Sequence, residues 1–216
     1  MPDELAGSVG RRRVPQQQRS KDRFDRVLRA TTDVVAELGP DRVTTAVIAE
    51  RAGVSVAWIY RYFEDRQDIF DVIVLDAVHR LWERTQQAAR ASIGEDWRQA
   101  LRHVLAANVG FYVAEPAFVR LWSSEFRSNA MLAANQLHDD DQARWLYTTM
   151  TDVGLLTPGP ASETACRLVV ALADRGLELA FAGDRLGDPM VIDQLATALI
   201  AVLQPHCHVP EAARLD

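Results

Sequence analysis

The stretch VTTAVIAERAGVSVAWIYRYF, residues 43–63, constrains the fold of this chain more than any other. It holds two short helical patterns on either side of Gly53. Thr44 or Thr45 can cap the first, because a hydroxyl satisfies a backbone N–H that the helix itself leaves unpaired. Ile48, Ala49 and Ala52 form its inner face, and Ala49 is small where two steeply crossing helices bring their backbones together. Gly53 suits the reversal, since a positive φ is cheap only without a β-carbon. Val54 plugs the turn, Ser55 caps the second helix, and Ile59 with Tyr62 or Phe63 returns to the core. This spacing predicts a helix-turn-helix.

Helical phase then sorts residues 54–63. With Ile59 inward, Phe63 four residues on and Val56 three back lie near its side, Tyr60 sits on the flank, and Ala57, Trp58 and Arg61 point away. An outward Trp and Arg on the second of two such helices face the surface that helix would enter, a DNA major groove wide enough to admit it. Ala57 at the helix start allows close approach.

The rest of the chain reads as helices. From Lys21, Phe24, Val27, Leu28, Thr31, Val34, Val35 and Leu38 recur at three and four until Gly39-Pro40. After Arg66 a long pattern runs to about Ala91, and further helices are expected at about 96–114, 116–127, 129–153, 161–182 and 189–203, each ended by a Gly or Pro or by the next start signal. No strand pattern, internal repeat or glycine-rich phosphate loop competes. The expected fold is all-α with about nine helices: a disordered basic arm over 1–20 carrying Arg11-Arg12-Arg13, a head over 21–66, a helical body over 67–205 and a flexible tail over 206–216.

Charge separates head from body. The chain carries a net charge of −6, yet from Arg11 to Arg66 there are 12 basic and eight acidic residues, a local excess of +4. The local excess is a weak electrostatic footprint of nucleic-acid contact, while the negative net charge disfavours a sequence-nonspecific DNA coat. Two cysteines, Cys166 and Cys207, are too few for a disulfide framework, and the absence of an apolar run near 20 residues or a secretory h-region points to a cytoplasmic protein without membrane contact. No nucleophile elbow, metal-ligand spacing or catalytic carboxylate pair emerges, so no enzyme activity, metal or cofactor is expected. His206-Cys207-His208 and Asp139-Asp140-Asp141 match no standard metal pattern.

Residues 21–70 resemble the DNA-binding domain of the TetR family of bacterial transcriptional regulators. The resemblance rests on Val43-Thr44, Ile48-Ala49, Ala52-Gly53-Val54-Ser55 and Ile59-Tyr60-Arg61-Tyr62-Phe63, with Arg66 where the family signature has lysine. It implies that Thr44 and Tyr60 hydrogen-bond DNA phosphates and that Arg66 pairs with another. Base reading falls to Val56, Ala57, Trp58 and Arg61, and Thr45 and Ser55 at the two helix starts complete the candidate set. The sequence departs from the family pattern at Ala46, Trp58 and Tyr62.

The resemblance also implies a homodimer, held through about 161–203, on a near-palindromic double-stranded DNA operator. The apolar positions of those last two helices independently exceed one narrow stripe. Finally, it implies a small-molecule effector in the body, for which the aromatic-rich region 82–150 supplies material. Phe111, Trp122 and Phe126 are the candidate walls, with His103 or Asn108 as polar anchors. The function expected is a sequence-specific transcriptional regulator, a repressor released by its effector; the alternative is a helical enzyme or carrier domain with a vestigial DNA-binding head.

Overall fold

The structure, a computed structural model, describes residues 17–92, 94, 96–122 and 126–208. Arg11-Arg12-Arg13 and the tail beyond His208 lie outside the described residues. Among those described, nine α-helices account for the chain: α1 (Gln18–Leu38), α2 (Thr45–Ala52), α3 (Val56–Tyr62), α4 (Arg66–Ala91), α5 (Trp97–Ala114), α6 (Pro116–Trp122), α7 (Asn129–Asp152), α8 (Pro160–Phe181) and α9 (Pro189–Leu203). Short 3-10 turns occupy Pro40–Arg42 and Gln204–His206. No single helix is long and apolar enough to cross a membrane.

The all-α expectation holds, and the boundaries follow local chemistry. The Thr44 hydroxyl, rather than that of Thr45, caps α2 by accepting from Val47 N–H at 3.2 Å, and Ser55 Oγ caps α3 by accepting from Trp58 N–H at 3.1 Å. Asp65 Oδ1 accepts from the N–H groups of Gln67 and Asp68 and so starts α4. Proline occupies the first position of α6, α8 and α9, where its missing N–H costs nothing. Between α2 and α3, Gly53 takes φ +63°, ψ +42°, and Val54 N–H returns to the Ala49 carbonyl at 3.0 Å.

The chain divides into two compact units. The first comprises the described residues within Met1–Arg80 and Ala114–Ala134. It is therefore larger than the 21–66 segment legible in sequence, since the start of α4 and all of α6 belong to it. In α4, Ile69 through Val74 are all buried, which marks this stretch as a helix surrounded on every side. Arg120 of α6 donates to the Val35 carbonyl at the end of α1 at 3.1 Å. Thr31 of α1 is fully buried, but its hydroxyl is satisfied by the Val27 carbonyl one turn back.

The second unit comprises the described residues within Leu81–Val113 and Asn135–Asp216. Here α8 and α9 pack so closely that a β-carbon on Gly176 would stand 2.5 Å from Leu195 Cδ1. Of the tail expected to be flexible, residues 206–208 are pinned. His208 N–H donates to the Leu155 carbonyl at 2.8 Å and Thr157 N–H to the His206 carbonyl at 3.0 Å, forming an antiparallel bridge of Leu156 with Cys207.

The Gly53 turn makes a direct prediction. A β-branched side chain in left-handed geometry is penalised by about 1–2 kcal/mol, so Gly53→Val lowers the stability of the first unit by that amount. Urea unfolding of the full chain followed by circular dichroism measures it; an unchanged midpoint would mean the turn can rearrange at no cost.

Candidate nucleic-acid interface and ligand cavity

Helix α3 is one of the shortest in the fold, and its orientation is set by what it buries. Ile59 and Phe63 are inaccessible to solvent and Tyr62 is 5% exposed. Phe63 stacks on Phe24 of α1 with ring centroids 4.9 Å apart, and Tyr62 meets the same ring edge-on at 6.2 Å. The complementary face is therefore turned out: Ala57 and Arg61 are exposed, as are Val56 at 37% and Tyr60 at 45%. Val56 thus departs from the inward phase expected of it. As the first helical residue after the Ser55 cap, it lies where the chain enters the turn, beyond the reach of the core.

The candidate DNA-contacting side chains fall into two groups. Thr44, Thr45, Ser55 and Tyr60 carry hydroxyls near the two helix starts, and Thr45 Oγ1 lies 3.3 Å from the Tyr60 hydroxyl, joining α2 to α3. Thr44 and Ser55 use one lone pair in capping and remain exposed. Trp58 is half-buried, its ring tilted against Tyr62 at 4.5 Å, so it shares its body with the core. The Arg61 guanidinium reaches over the same Tyr62 ring, 5.8 Å from its centroid.

Arg66 is placed differently from the rest. Its Nη1 donates to the Val43 carbonyl at 2.7 Å and its guanidinium lies over the Phe126 ring at 4.9 Å. Beside it, Gln67 Nε2 donates both to the Phe126 carbonyl and to Asp71 Oδ1, each at 2.8 Å. Asp71 is 4% exposed and receives a second bond from Ser128 Oγ at 2.9 Å. Burial pushes the Asp71 carboxyl above the ordinary range, while the Gln67 and Ser128 donors oppose the shift. Arg66 and Gln67 thus tie the strand-like entry to α2 to the segment before α7. Arg51 and Glu37 make the same kind of tie between α2 and α1 through two bonds of 3.0 and 2.9 Å, which hold the Glu37 carboxyl below its ordinary value.

The second unit holds a half-open cavity of about 400 Å³. Trp82, Thr85 and Ala89 face it from α4 and Ser92 from just beyond its end; Trp97, Leu101, Val104, Leu105 and Asn108 from α5. Gln142, Trp145, Leu146 and Thr149 face it from α7, and Val169, Val170, Leu199 and Leu203 close it from α8 and α9. Trp82 and Trp145 meet edge-to-face, 5.2 Å apart at 84°. Of the five residues expected to bind an effector, Asn108 lines this cavity, and the other four do not. His103 is exposed on α5, out of phase with the cavity face. Phe111 is core. Trp122 stacks on Phe118 and Phe126 packs edge-on against Phe70, both in the first unit. The residues missed in favour of these had a readable signal: Thr85 in α4, and Gln142 and Thr149 in α7, are polar residues at helical spacing within apolar stripes.

Two family models match the chain: bacterial regulatory proteins, tetR family, over residues 27–73, and the tetracyclin repressor-like C-terminal domain over residues 95–207. An uncharacterized HTH-type transcriptional regulator of Mycobacterium bovis is 39% identical over 75 residues, which are 34% of this chain and 38% of that protein. The chain thus spans well under half of that relative. The HTH-type transcriptional regulator BetI of Stenotrophomonas maltophilia is 26% identical over 156 residues, 70% of this chain and 78% of BetI. Among solved structures, a TetR-family transcriptional regulator from Streptomyces coelicolor superposes with a TM-score of 0.63 at 24% identity, covering 85% of this chain and 99% of the other. SmeT, the repressor of the Stenotrophomonas maltophilia multidrug efflux pump SmeDEF, does so with a TM-score of 0.61 at 19% identity, covering 86% and 91%. At these identities the superpositions establish the fold.

One electrostatic feature of the second unit yields a pH prediction. Burial, then the neighbouring Asp174 and Asp140, push the Asp139 carboxyl up to about 7. A carboxyl whose value is raised in the folded state binds its proton more tightly folded than unfolded, so stability falls as pH rises from about 4 to about 7. Asp139→Asn removes this slope and stabilises the chain at pH 8 by roughly 1–2 kcal/mol, the full linkage value being reduced by solvent screening at a partly exposed group. Denaturant midpoints at pH 5 and pH 8 for both proteins decide it, and identical slopes would refute it.

Proposed function

Because the chain belongs to the tetR family of bacterial regulatory proteins, DNA-binding transcriptional regulators, we propose that it is a homodimeric repressor which a small-molecule effector releases from a near-palindromic operator. The observation that carries this reading is the outward face of α3. Ala57, Trp58 and Arg61 stand away from a core fixed by Ile59 and Phe63, with Thr45 and Tyr60 beside them as hydroxyl donors for phosphates. Arg61 is the bidentate reader of guanine, and Trp58, with a single N–H, supports it by apolar contact with thymine methyls or sugars. Arg66 acts by holding the base of α2 in place, and any phosphate contact it makes is additional to that.

Dimerisation is supported by α8. Leu168, Leu172 and Leu179 recur on one helical face and are 50%, 39% and 59% exposed. On α9 the exposed positions Thr197, Ala198 and Ala201 are small, which suits close approach of a second copy. Two such helices from each subunit would make a four-helix interface. The cavity in the second unit is the effector site of this reading, and an effector acts by binding one arrangement of the two heads better than the other.

Selection of bound sequences from random duplexes tests the function as a whole: an inverted repeat is expected, and a pool no different from the input would overturn it. Arg61→Ala loses about 1–3 kcal/mol on the selected operator with little loss on random DNA. Equal losses by fluorescence anisotropy would remove its reading role. The double substitution Leu168→Glu with Leu172→Glu weakens the dimer by at least about 2 kcal/mol, seen as monomer in sedimentation velocity. An unchanged dimer would place the interface elsewhere.

A further inference from the structure

The lining of the cavity specifies its occupant. Among the described residues that face it there is no Asp, Glu, Lys, Arg or His. A charged ligand seated there would give up part of its hydration without meeting a counter-ion among those residues, which is unfavourable. Three of the five tryptophans of the chain, Trp82, Trp97 and Trp145, line the space together with Leu and Val side chains. Indole faces can attract a quaternary ammonium. Here, however, Trp82 is already engaged edge-to-face with both Trp145 and His138, at 84° and 83°, and the Arg98 guanidinium already lies 4.5 Å from the Trp97 ring centroid.

The polar groups narrow the class further. Thr85 Oγ1 lies 2.9 Å from the Leu81 carbonyl and 2.8 Å from Asn108 Oδ1. A hydroxyl has one proton, so the Thr85–Asn108 bond runs either from the hydroxyl to the carboxamide oxygen or, with the amide turned over, from the carboxamide N–H to the hydroxyl. In both arrangements at least one Asn108 N–H is left over. Gln142 has one end committed to His138 at 2.6 Å, which leaves the other end of its carboxamide for a ligand. The cavity volume of about 400 Å³ falls low in the range of small-molecule sites, about 300–1,000 Å³.

We propose that the effector is an uncharged, mostly apolar ring compound carrying a hydrogen-bond acceptor, bound among Trp82, Trp97 and Trp145 with its acceptor on the Asn108 carboxamide. This assignment rests on reading the cavity as the effector site. Asn108 is the specificity-determining residue, because it supplies a donor without supplying charge.

The experiment uses the full chain and three probes of similar shape: 4-tert-butylphenol, its cationic isostere (4-hydroxyphenyl)trimethylammonium, and the anion 4-tert-butylbenzoate. Calorimetric titration is expected to show the phenol binding tighter than either ion by at least about tenfold. Leu101→Trp, which fills the cavity, abolishes that binding. Asn108→Asp is nearly isosteric and retains an acceptor for Thr85. It turns the preference towards the cation relative to the phenol and the anion, whereas a merely structural role for Asn108 would weaken all three probes alike. Binding of either ion as tightly as the phenol, failure of the phenol to bind, or indifference to Leu101→Trp would each overturn the proposal. Operator affinity measured on the same protein separates the two readings. A chain that holds its operator and takes no phenol has lost the ligand class alone; one that takes the phenol at Asn108 with no change in operator affinity has lost the effector reading alone.

Discussion

The stacking of Phe63 on Phe24, with Tyr62 closing the edge, is the contact on which the proposed DNA-facing surface depends. A helix of seven residues does not persist in water by itself, because nucleation outweighs the few hydrogen bonds it gains. Its existence and its rotation about its own axis are therefore both set by what it buries against α1. Once Ile59, Tyr62 and Phe63 are inside, residues 57, 58 and 61 have no other direction to take. The recognition surface is the complement of the core, and Trp58 sits on the border between them, one part against Tyr62 and the remainder outward.

Most of this was legible in the sequence, because capping and turn chemistry are local. Thr44, Gly53 and Ser55 act on groups at most five residues away, and the helix limits they set are those of the structure to within a residue or two. The role of Arg66 was not legible. Its partners, the Val43 carbonyl and the Phe126 ring, lie 23 and 60 positions away, and no periodicity reports such a contact. The same holds for the extent of the first unit. Gln67 and Asp71 reach Phe126 and Ser128, so a boundary drawn after residue 66 cuts through a hydrogen-bond network that the folded chain treats as one piece.

The cavity shows a different kind of failure. Counting aromatic residues over 82–150 picked Trp122 and Phe126, which pack in the first unit, since aromatic content says nothing about which unit a residue joins. Phase would have done better. Leu101, Val104, Leu105 and Asn108 follow the helical spacing 0, 3, 4, 7 and all face the cavity, whereas His103 falls off that stripe and is exposed. Trp82, Thr85 and Ala89 keep the same helical phase on α4. A polar residue embedded in such a stripe either finds a partner in the protein or waits for one, and Thr85 with Asn108 does some of each.

Helix α8 links the cavity to the surface through its own thickness. Val169, Val170 and Ala173 face the cavity, while Leu168, Leu172 and Leu179 recur on the opposite, exposed side. Where α8 packs against α9 it leaves no void to absorb a displacement. On its inner side α8 is already at the limit of approach, with Leu195 against Gly176. A ligand that pushes on Val169 and Val170 therefore moves the leucine stripe with them. In the proposed dimer that stripe is the interface, so a ligand filling the cavity would act on the contact between the subunits.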